Sequence, residues 1–170
     1  MNDTLAEVRT ILQGTPQRWI NLTTTVSPEL LSMIPAPNEW SALDCLKHAL
    51  ETEKLVFPVR VQNLLDGVDF TAFDPNRQRS KSDNFLSPLK MAEEFSVARK
   101  KSLDVFDRIT PADLPRKVRH MELGLVSLSE LLNEWAGHDL MHLVQAERAM
   151  MQPFIQGCGP WQPYFKDHIA

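Results

Sequence analysis

The sequence predicts an all-α fold, a bundle of four long helices with one long crossover connection. In four places a serine or threonine is followed directly by proline, a pattern typical of helix starts: Thr15-Pro16, Ser27-Pro28, Ser87-Pro88 and Thr110-Pro111. The hydroxyl oxygen accepts from a free N–H of the first turn, and proline suits the first helical position because it has no N–H to lose. Only 6 glycines occur in 170 residues, and strand-like alternation is scarce. Both observations favour helices over sheets.

Two more helix starts are indicated by capping-box patterns, Ser41 with Asp44 and Ser127 with Glu130. Apolar spacing then predicts helices over residues 4–25, 42–65, 88–109 and 128–151, with short helical turns at 28–33 and 111–114. We expect Gly14-Thr15-Pro16 to kink or split the first helix and Pro58 to bend the second. Residues 67–86 form the crossover, or a functional loop.

Length, charge and cysteine content restrict the class of protein. A chain of 170 residues suits one domain, 1–170, with a core over 4–151 and a tail over 152–170. We expect the tail to fold back over the bundle through Trp161, Tyr164 and Phe165. The net charge of −4 gives no reason to propose nucleic acid or an anionic membrane as partner.

Targeting features are also missing from the sequence. The first residues are acidic and no run of about 18 apolar residues occurs, so we expect neither a secretory signal nor a membrane-spanning helix. Cys45 and Cys158 do not make a disulfide framework and fit free thiols in a reducing cytoplasm.

Three of the 5 histidines fall on positions that should face the bundle core. In the last helix, steps of three and four residues place His138 and His142 on the inward stripe. Residues four apart on a helix lie about 5–6 Å apart at their β-carbons, so two imidazoles can bind one metal ion. His48 occupies the corresponding stripe of the second helix. Burying three imidazoles without a partner is costly, and one shared divalent ion would remove that cost. The alternative is that the histidines are half-buried and bonded to neighbouring residues.

Supporting roles are predicted for three neighbours of these histidines. Asp44 and Glu51 lie near His48 along the helix and are candidates to orient an imidazole, and Gln145 is a candidate to face the pocket. Other residues nearby are expected to have no part in the site. We interpret Cys45 as a small buried hydrophobe, Asp139 as either a structural or a surface carboxylate, and His120 as a loop residue rather than part of the rim. His168 is interpreted as a terminal residue without a role, and the loop that contains Arg77, Arg79 and Lys81 as solvated rather than as a site that attracts an anion.

Three segments carry a family resemblance. Trp40-Ser-Ala-Leu-Asp-Cys-Leu-Lys-His48 resembles the segment of the DinB-like (damage-inducible) superfamily that bears its first metal histidine. Trp135-Ala-Gly-His138-Asp-Leu-Met-His142-Leu-Val-Gln145 resembles the segment bearing the other two, and the stretch from His120 to Glu130 is similar to its lead-in. The resemblance covers residues 5–151. It implies a four-helix bundle in up-down-down-up order and a three-histidine site for zinc or nickel, with iron or manganese as alternatives.

The same resemblance suggests a function. Characterised members include transferases and isomerases that use low-molecular-weight thiols. Three protein ligands leave a coordination position open for a water or a substrate thiol, which suits catalysis better than a closed structural site. Our leading hypothesis is a metal-dependent thiol transferase or hydrolase acting on a small molecule, with homodimers as in other members. The alternative is a non-catalytic, metal-stabilised bundle that serves as a binding or dimerisation module.

Overall fold

The computed structural model describes residues 3–72 and 86–170. Arg77, Arg79 and Lys81 therefore lie outside the described residues. The elements in chain order are α1 (Thr4–Thr25), α2 (Pro28–Ser32), α3 (Ala42–Leu55), α4 (Phe57–Asp66), α5 (Pro88–Phe106), β1 (Lys117–His120), β2 (Gly124–Ser127), α6 (Leu128–Gly157) and a C-terminal 3₁₀ helix (Gly159–His168).

The predicted helix starts are confirmed at four of six positions. Ser27 and Ser87 cap α2 and α5, each followed by proline in the first turn. Ser41 and Ser127 form complete capping boxes with Asp44 and Glu130. The other two Ser/Thr–Pro pairs do not begin helices. The pair at residue 15 lies inside α1, and the one at residue 110 begins a hydrogen-bonded turn rather than a helix.

Proline 58 breaks the second long helix, as its missing N–H predicts. Val56 keeps its hydrogen bond to the Thr52 carbonyl but departs from helical dihedral angles, with φ of −116° and ψ of −70°. Helix α3 therefore ends at Leu55, and α4 begins at Phe57 with Pro58 in its first turn. Gly67 ends α4 in the left-handed conformation, with φ of 72°, which glycine adopts without strain.

The chain between α5 and α6 corrects the purely helical prediction. Two four-residue strands pair antiparallel, with Lys117 opposite Ser127 and His120 opposite Gly124. Phe70 joins them, because its N–H donates to the Arg119 carbonyl and its own carbonyl accepts from Met121. Strands of four residues are too short for an alternating pattern to stand out in the sequence.

The C-terminal tail also differs from its prediction. Helix α6 continues through Pro153 to Gly157, beyond the expected end at residue 151, because Gln152 and Ile155 remain buried against the bundle. The expectation that tail aromatics cover the core was wrong for Trp161, which is 61% exposed, and for Tyr164, at 81%, whereas Phe165 is half-buried. The tail instead folds back through backbone contacts, since Arg148 and Gln152 donate to the His168 carbonyl.

Four helices form the bundle that the sequence predicted. Helices α1 and α3 each pack against both α5 and α6. The up-down-down-up order stays a prediction. Among the described residues, none of the helices has both the length and the apolar character that a membrane span requires.

A buried guanidinium lies at the junction of these helices. Arg99 of α5 is 1% exposed and pairs with Asp139 of α6 through both terminal nitrogens, at 2.7 and 3.0 Å. It also donates to Glu53 of α3 at 2.8 Å and to Thr15 of α1 at 3.0 Å. Burial alone opposes its charge, but the Asp139 and Glu53 carboxylates outweigh that effect and raise the pKa of Arg99.

The same guanidinium explains why α1 continues through a proline. Pro16 has no N–H, so the carbonyl of Leu12, four residues earlier, loses its helical donor. Arg99 donates to that carbonyl at 2.8 Å. The buried carbonyl is therefore satisfied from α5 instead of from its own helix, and α1 extends unbroken from Thr4 to Thr25.

We expect Arg99→Met to lower the free energy of unfolding by about 3–5 kcal/mol, because it leaves the Asp139 and Glu53 carboxylates buried without a cation. Urea denaturation measures the change. Arg18→Met is the matched control, since Arg18 forms an exposed pair with Glu147, and its effect should stay below about 1 kcal/mol. Equal effects of the two substitutions would contradict the role assigned to Arg99.

Candidate metal centre

Three histidine side chains converge between α3 and α6. The Nε2 atom of His138 lies 3.2 Å from Nε2 of His48 and 3.2 Å from Nε2 of His142. Together the three residues offer ligand nitrogens within 4.8 Å of one another. The cluster contains the three residues that the sequence proposed as metal ligands.

The local structure of α6 positions two of these rings. Successive residues of a helix point about 100° apart, so Asp139 and His138 face different neighbours. Asp139 points into the bundle and is held by Arg99 and by the Thr15 hydroxyl, which donates to it at 2.6 Å. With Asp139 held in this way, His138 and His142 are turned toward α3, where His48 lies. Asp139 is thus a structural carboxylate and not a surface one, with 3% of it exposed.

Burial keeps the imidazoles of His138 and His142 uncharged near neutral pH. It lowers the pKa of His138 to about 3, with further lowering from His142, His48 and Arg99. Burial also lowers the pKa of His142, although Gln145 and Asp139 act in the opposite direction. Near neutral pH both rings are neutral, the form that binds metal ions.

Gln145 contacts one of the three candidate ligand rings. Its side-chain oxygen lies 3.0 Å from Nδ1 of His142. With the amide oxygen accepting from Nδ1–H, the lone pair of His142 is left on Nε2, the atom that faces the other histidines. His138 lacks such support, because its Nδ1 is buried and has no hydrogen-bond partner in the described part of the chain.

The spacing of the three rings fits a shared ion. Zinc–imidazole bonds of about 2.0–2.1 Å place two nitrogens of one tetrahedral ion about 3.3 Å apart. The two 3.2 Å separations match this value. Hydrogen bonding alone accounts for them poorly, because a neutral imidazole has a single N–H and both contacts meet at the same nitrogen of His138.

Aromatic rings enclose the cluster. Trp40 stacks on His142 with a centroid distance of 5.7 Å and contacts His48 edge-on at 5.0 Å. Phe57 contacts His138 edge-on, also at 5.0 Å. No role for Trp40 was predicted from the sequence. Its position directly before Ser41, the N-cap of the helix that bears His48, is the feature of the sequence that indicates its place near the cluster.

A cleft of about 250 Å³ opens beside the cluster, lined by His48 and His138. Other side chains that line it are Thr52, Val56, Phe57, Arg60, Ala72, His120, Glu122, Leu123 and Glu134. Partial burial lowers the pKa of Arg60 and raises that of Glu134, and the opposite charge of each partly offsets the shift of the other. A larger groove of about 1010 Å³ runs along α5, but none of the three histidines lines it.

The predicted supporting residues have unequal positions. The Asp44 carboxylate accepts from the Ser41 N–H and hydroxyl, which makes it a helix cap. Glu51 is half-buried on α3. A role for either in orienting an imidazole stays a prediction. The expectation of His120 as a loop residue was wrong: it ends strand β1, is 5% exposed and lines the cleft.

Cys45 is fully buried, in line with its interpretation as a small hydrophobe. Burial, together with the charge of Asp44, raises the pKa of its thiol to about 12. The thiol is therefore protonated at any pH well below that value. Cys158 is half-buried at the end of α6.

Because the thiolate is the nucleophile, we expect iodoacetamide at about pH 8 to modify Cys158 in the native protein and to leave Cys45 unmodified. Peptide mass spectrometry after timed labelling measures both positions. Labelling in denaturing urea is the control and should modify both thiols. If Cys45 reacts as fast as Cys158 in the folded protein, its assigned burial is wrong.

Comparisons with known proteins place this site in context. A search of curated proteins finds no match. Among solved structures, YfiT from Bacillus subtilis is similar, with a TM-score of 0.76 at 10% sequence identity over 91% of this chain and 90% of that one. YfiT is described as a probable metal-dependent hydrolase with an unusual four-helix bundle topology. At this identity the likeness concerns the fold.

The match to a protein-family model rests on the sequence itself rather than on the fold. The model of the DinB superfamily matches residues 11–146, which is most of the chain and includes all three histidines. The chain belongs to the DinB superfamily.

Proposed function

We propose that this protein is a metal-dependent enzyme that acts on a small molecule through His48, His138 and His142. The observation that carries the proposal is the convergence of three imidazole nitrogens beside a cleft. Three ligands leave room for a further one, as catalytic zinc sites do.

The ligand set favours zinc or nickel, with iron or manganese as alternatives. Imidazole suits zinc, nickel and iron, whereas manganese prefers oxygen ligands. When bound, such an ion supplies Lewis acidity toward a water, a carbonyl or a thiol at its open position.

The chain's own residues prepare this site. Gln145 holds His142 in the orientation that leaves Nε2 free. Trp40 packs against His142 and Phe57 against His138, which holds both rings in place and leaves the cleft side of the cluster open. The cleft admits a substrate from the side of His48 and His138, where Arg60 and Glu134 offer polar contacts to it.

Two reaction classes follow from this arrangement, hydrolysis and transfer of a low-molecular-weight thiol. YfiT, as a probable metal-dependent hydrolase on the same fold, supports the first. The second rests on the resemblance to thiol-dependent members of the family. The open cleft counts against a non-catalytic bundle, which should cover its histidines with bulky side chains. A cytoplasmic location and a homodimer remain part of the proposal, with neither nucleic acid nor membrane as partner.

We expect His142→Ala to abolish zinc uptake at micromolar metal while the far-ultraviolet circular dichroism of the bundle stays unchanged. The wild-type protein should bind about one equivalent, measured by titration against a chromophoric chelator and by elemental analysis. His168→Ala is the matched control, because this histidine lies at the end of the 3₁₀ helix. Unchanged zinc affinity in His142→Ala would show that the ligand assignment is wrong.

The reaction class is tested by activity screens of zinc- and nickel-loaded protein. One screen offers ester and amide substrates, and the other offers a thiol with an electrophile. His142→Ala and metal-stripped protein serve as blanks. Turnover in either screen that disappears in both blanks supports catalysis. Turnover that persists in them argues for a contaminant. Metal uptake without turnover in either screen favours the non-catalytic alternative.

A further inference from the structure

His120 is a buried histidine that the proposed metal site does not use. It ends strand β1, on a hairpin beside the cleft, and is 5% exposed. Its ring packs edge-on against Phe70 with a centroid distance of 5.4 Å. Phe70 is itself tied to the strand by two backbone hydrogen bonds on either side of His120. The imidazole is therefore held in one place.

The hairpin turn determines which nitrogen of His120 bears the proton. Nδ1 accepts from the backbone N–H groups of Glu122 and Leu123, at 3.2 and 3.3 Å. An accepting nitrogen has no proton, so the neutral ring carries its proton on Nε2. His120 thus presents an N–H donor at its far edge. It cannot accept a proton there while neutral.

That donor belongs to the same cleft as the candidate ligands. His120, His48 and His138 all line the space of about 250 Å³. Both hydrogen bonds of this ring end at Nδ1, so Nε2–H has no acceptor within residues 3–72 and 86–170. Nε2 is not among the fully buried atoms that lack a partner, so its N–H is accessible from the cleft and can donate to an acceptor on a bound ligand.

The charges around the cleft narrow the choice of acceptor. Arg60 contributes one positive charge, while Glu122 and Glu134 contribute two carboxylates. The side chains alone therefore give an anionic ligand no advantage. A divalent ion held by the three histidines would polarise a carbonyl oxygen, as in an ester, an amide or a hydroxamate, and that oxygen can accept from an N–H at the same time.

We propose that the Nε2–H of His120 binds the carbonyl oxygen of an ester- or amide-type ligand seated in the cleft against the three histidines. The inference rests on the proposed function and names its substrate class. His120 acts as a hydrogen-bond donor to the ligand and, with its other nitrogen, as the acceptor of the hairpin turn.

Two substitutions separate these two roles. In His120→Asn the side-chain oxygen takes the place of Nδ1, so the turn keeps its acceptor while the donor is lost. In His120→Gln the side-chain nitrogen takes the place of Nε2, so a donor remains while the turn loses its acceptor. If His120 only stabilised the turn, His120→Gln would lose more ligand affinity and more stability than His120→Asn.

The binding test uses zinc-loaded protein with acetohydroxamate, which has a carbonyl oxygen, and with imidazole, which offers no acceptor once its nitrogen is bound. We expect His120→Asn to weaken acetohydroxamate about tenfold or more and to leave imidazole unchanged. His120→Gln should retain part of the acetohydroxamate affinity. Calorimetric titration measures both ligands.

A second readout needs no metal. Long-range ¹⁵N–¹H spectra of the metal-free protein should show His120 protonated on Nε2. A proton on Nδ1 overturns the inference, even if the variants fail to fold, and so does acetohydroxamate affinity that is unchanged in His120→Asn. If the protein binds zinc but its acetohydroxamate affinity does not depend on His120, the proposed function stands and only this inference fails. Absence of zinc uptake by the wild-type protein rejects both.

Discussion

The guanidinium of Arg99 joins α5 to three other helices of the bundle from one fully buried position. It contacts Glu53 of α3, Asp139 of α6, and both Thr15 and the Leu12 carbonyl of α1. Its cationic face lies 4.8 Å from the Phe95 ring and 5.4 Å from the Trp135 ring, which belong to two different clusters of the core. Bidentate pairs of this kind fix orientation as well as distance. Rotation of α6 would separate Asp139 from Arg99 and leave charges buried without partners.

The orientation of α6 is what brings the histidines together. Asp139 directly follows His138, so the pairing with Arg99 on one side of the helix turns His138 and His142 toward His48 on another. The rings then lie under Trp40 and beside Phe57, and burial keeps His138 and His142 neutral near neutral pH. The bundle thus holds the three rings in one arrangement through contacts of its own, and a site that is preorganised in this way would favour catalysis.

Sequence reasoning predicted the parts of this arrangement that depend on local rules. Capping boxes located the starts of α3 and α6, and helical spacing placed His48, His138 and His142 on inward faces. Pro58 indicated the break at Val56. These features depend on residues within a few positions of each other, where the chemistry of one turn decides the outcome.

The features that were missed depend on contacts between distant residues. Arg99 occupies an inward position of α5, together with Ala92, Phe95 and Phe106, but an isolated arginine indicates a surface. Only the pairing with Asp139, forty positions away, makes it a core residue. Pro16 was expected to kink or split α1, but α1 continues because Arg99 donates to the Leu12 carbonyl that Pro16 leaves without its helical donor. His120 acquires its place at the cleft from pairing of the short hairpin with Phe70, fifty positions earlier.

X-ray absorption spectroscopy of the zinc-loaded protein tests the central claim, a three-histidine centre with an open position, most directly. The account predicts scattering from three imidazole rings at about 2.0–2.1 Å together with a lighter, non-imidazole oxygen or nitrogen neighbour. His48→Ala should remove one imidazole from this count. A sulfur neighbour at about 2.3 Å, or a zinc environment with fewer than three imidazoles in the wild-type protein, would contradict it.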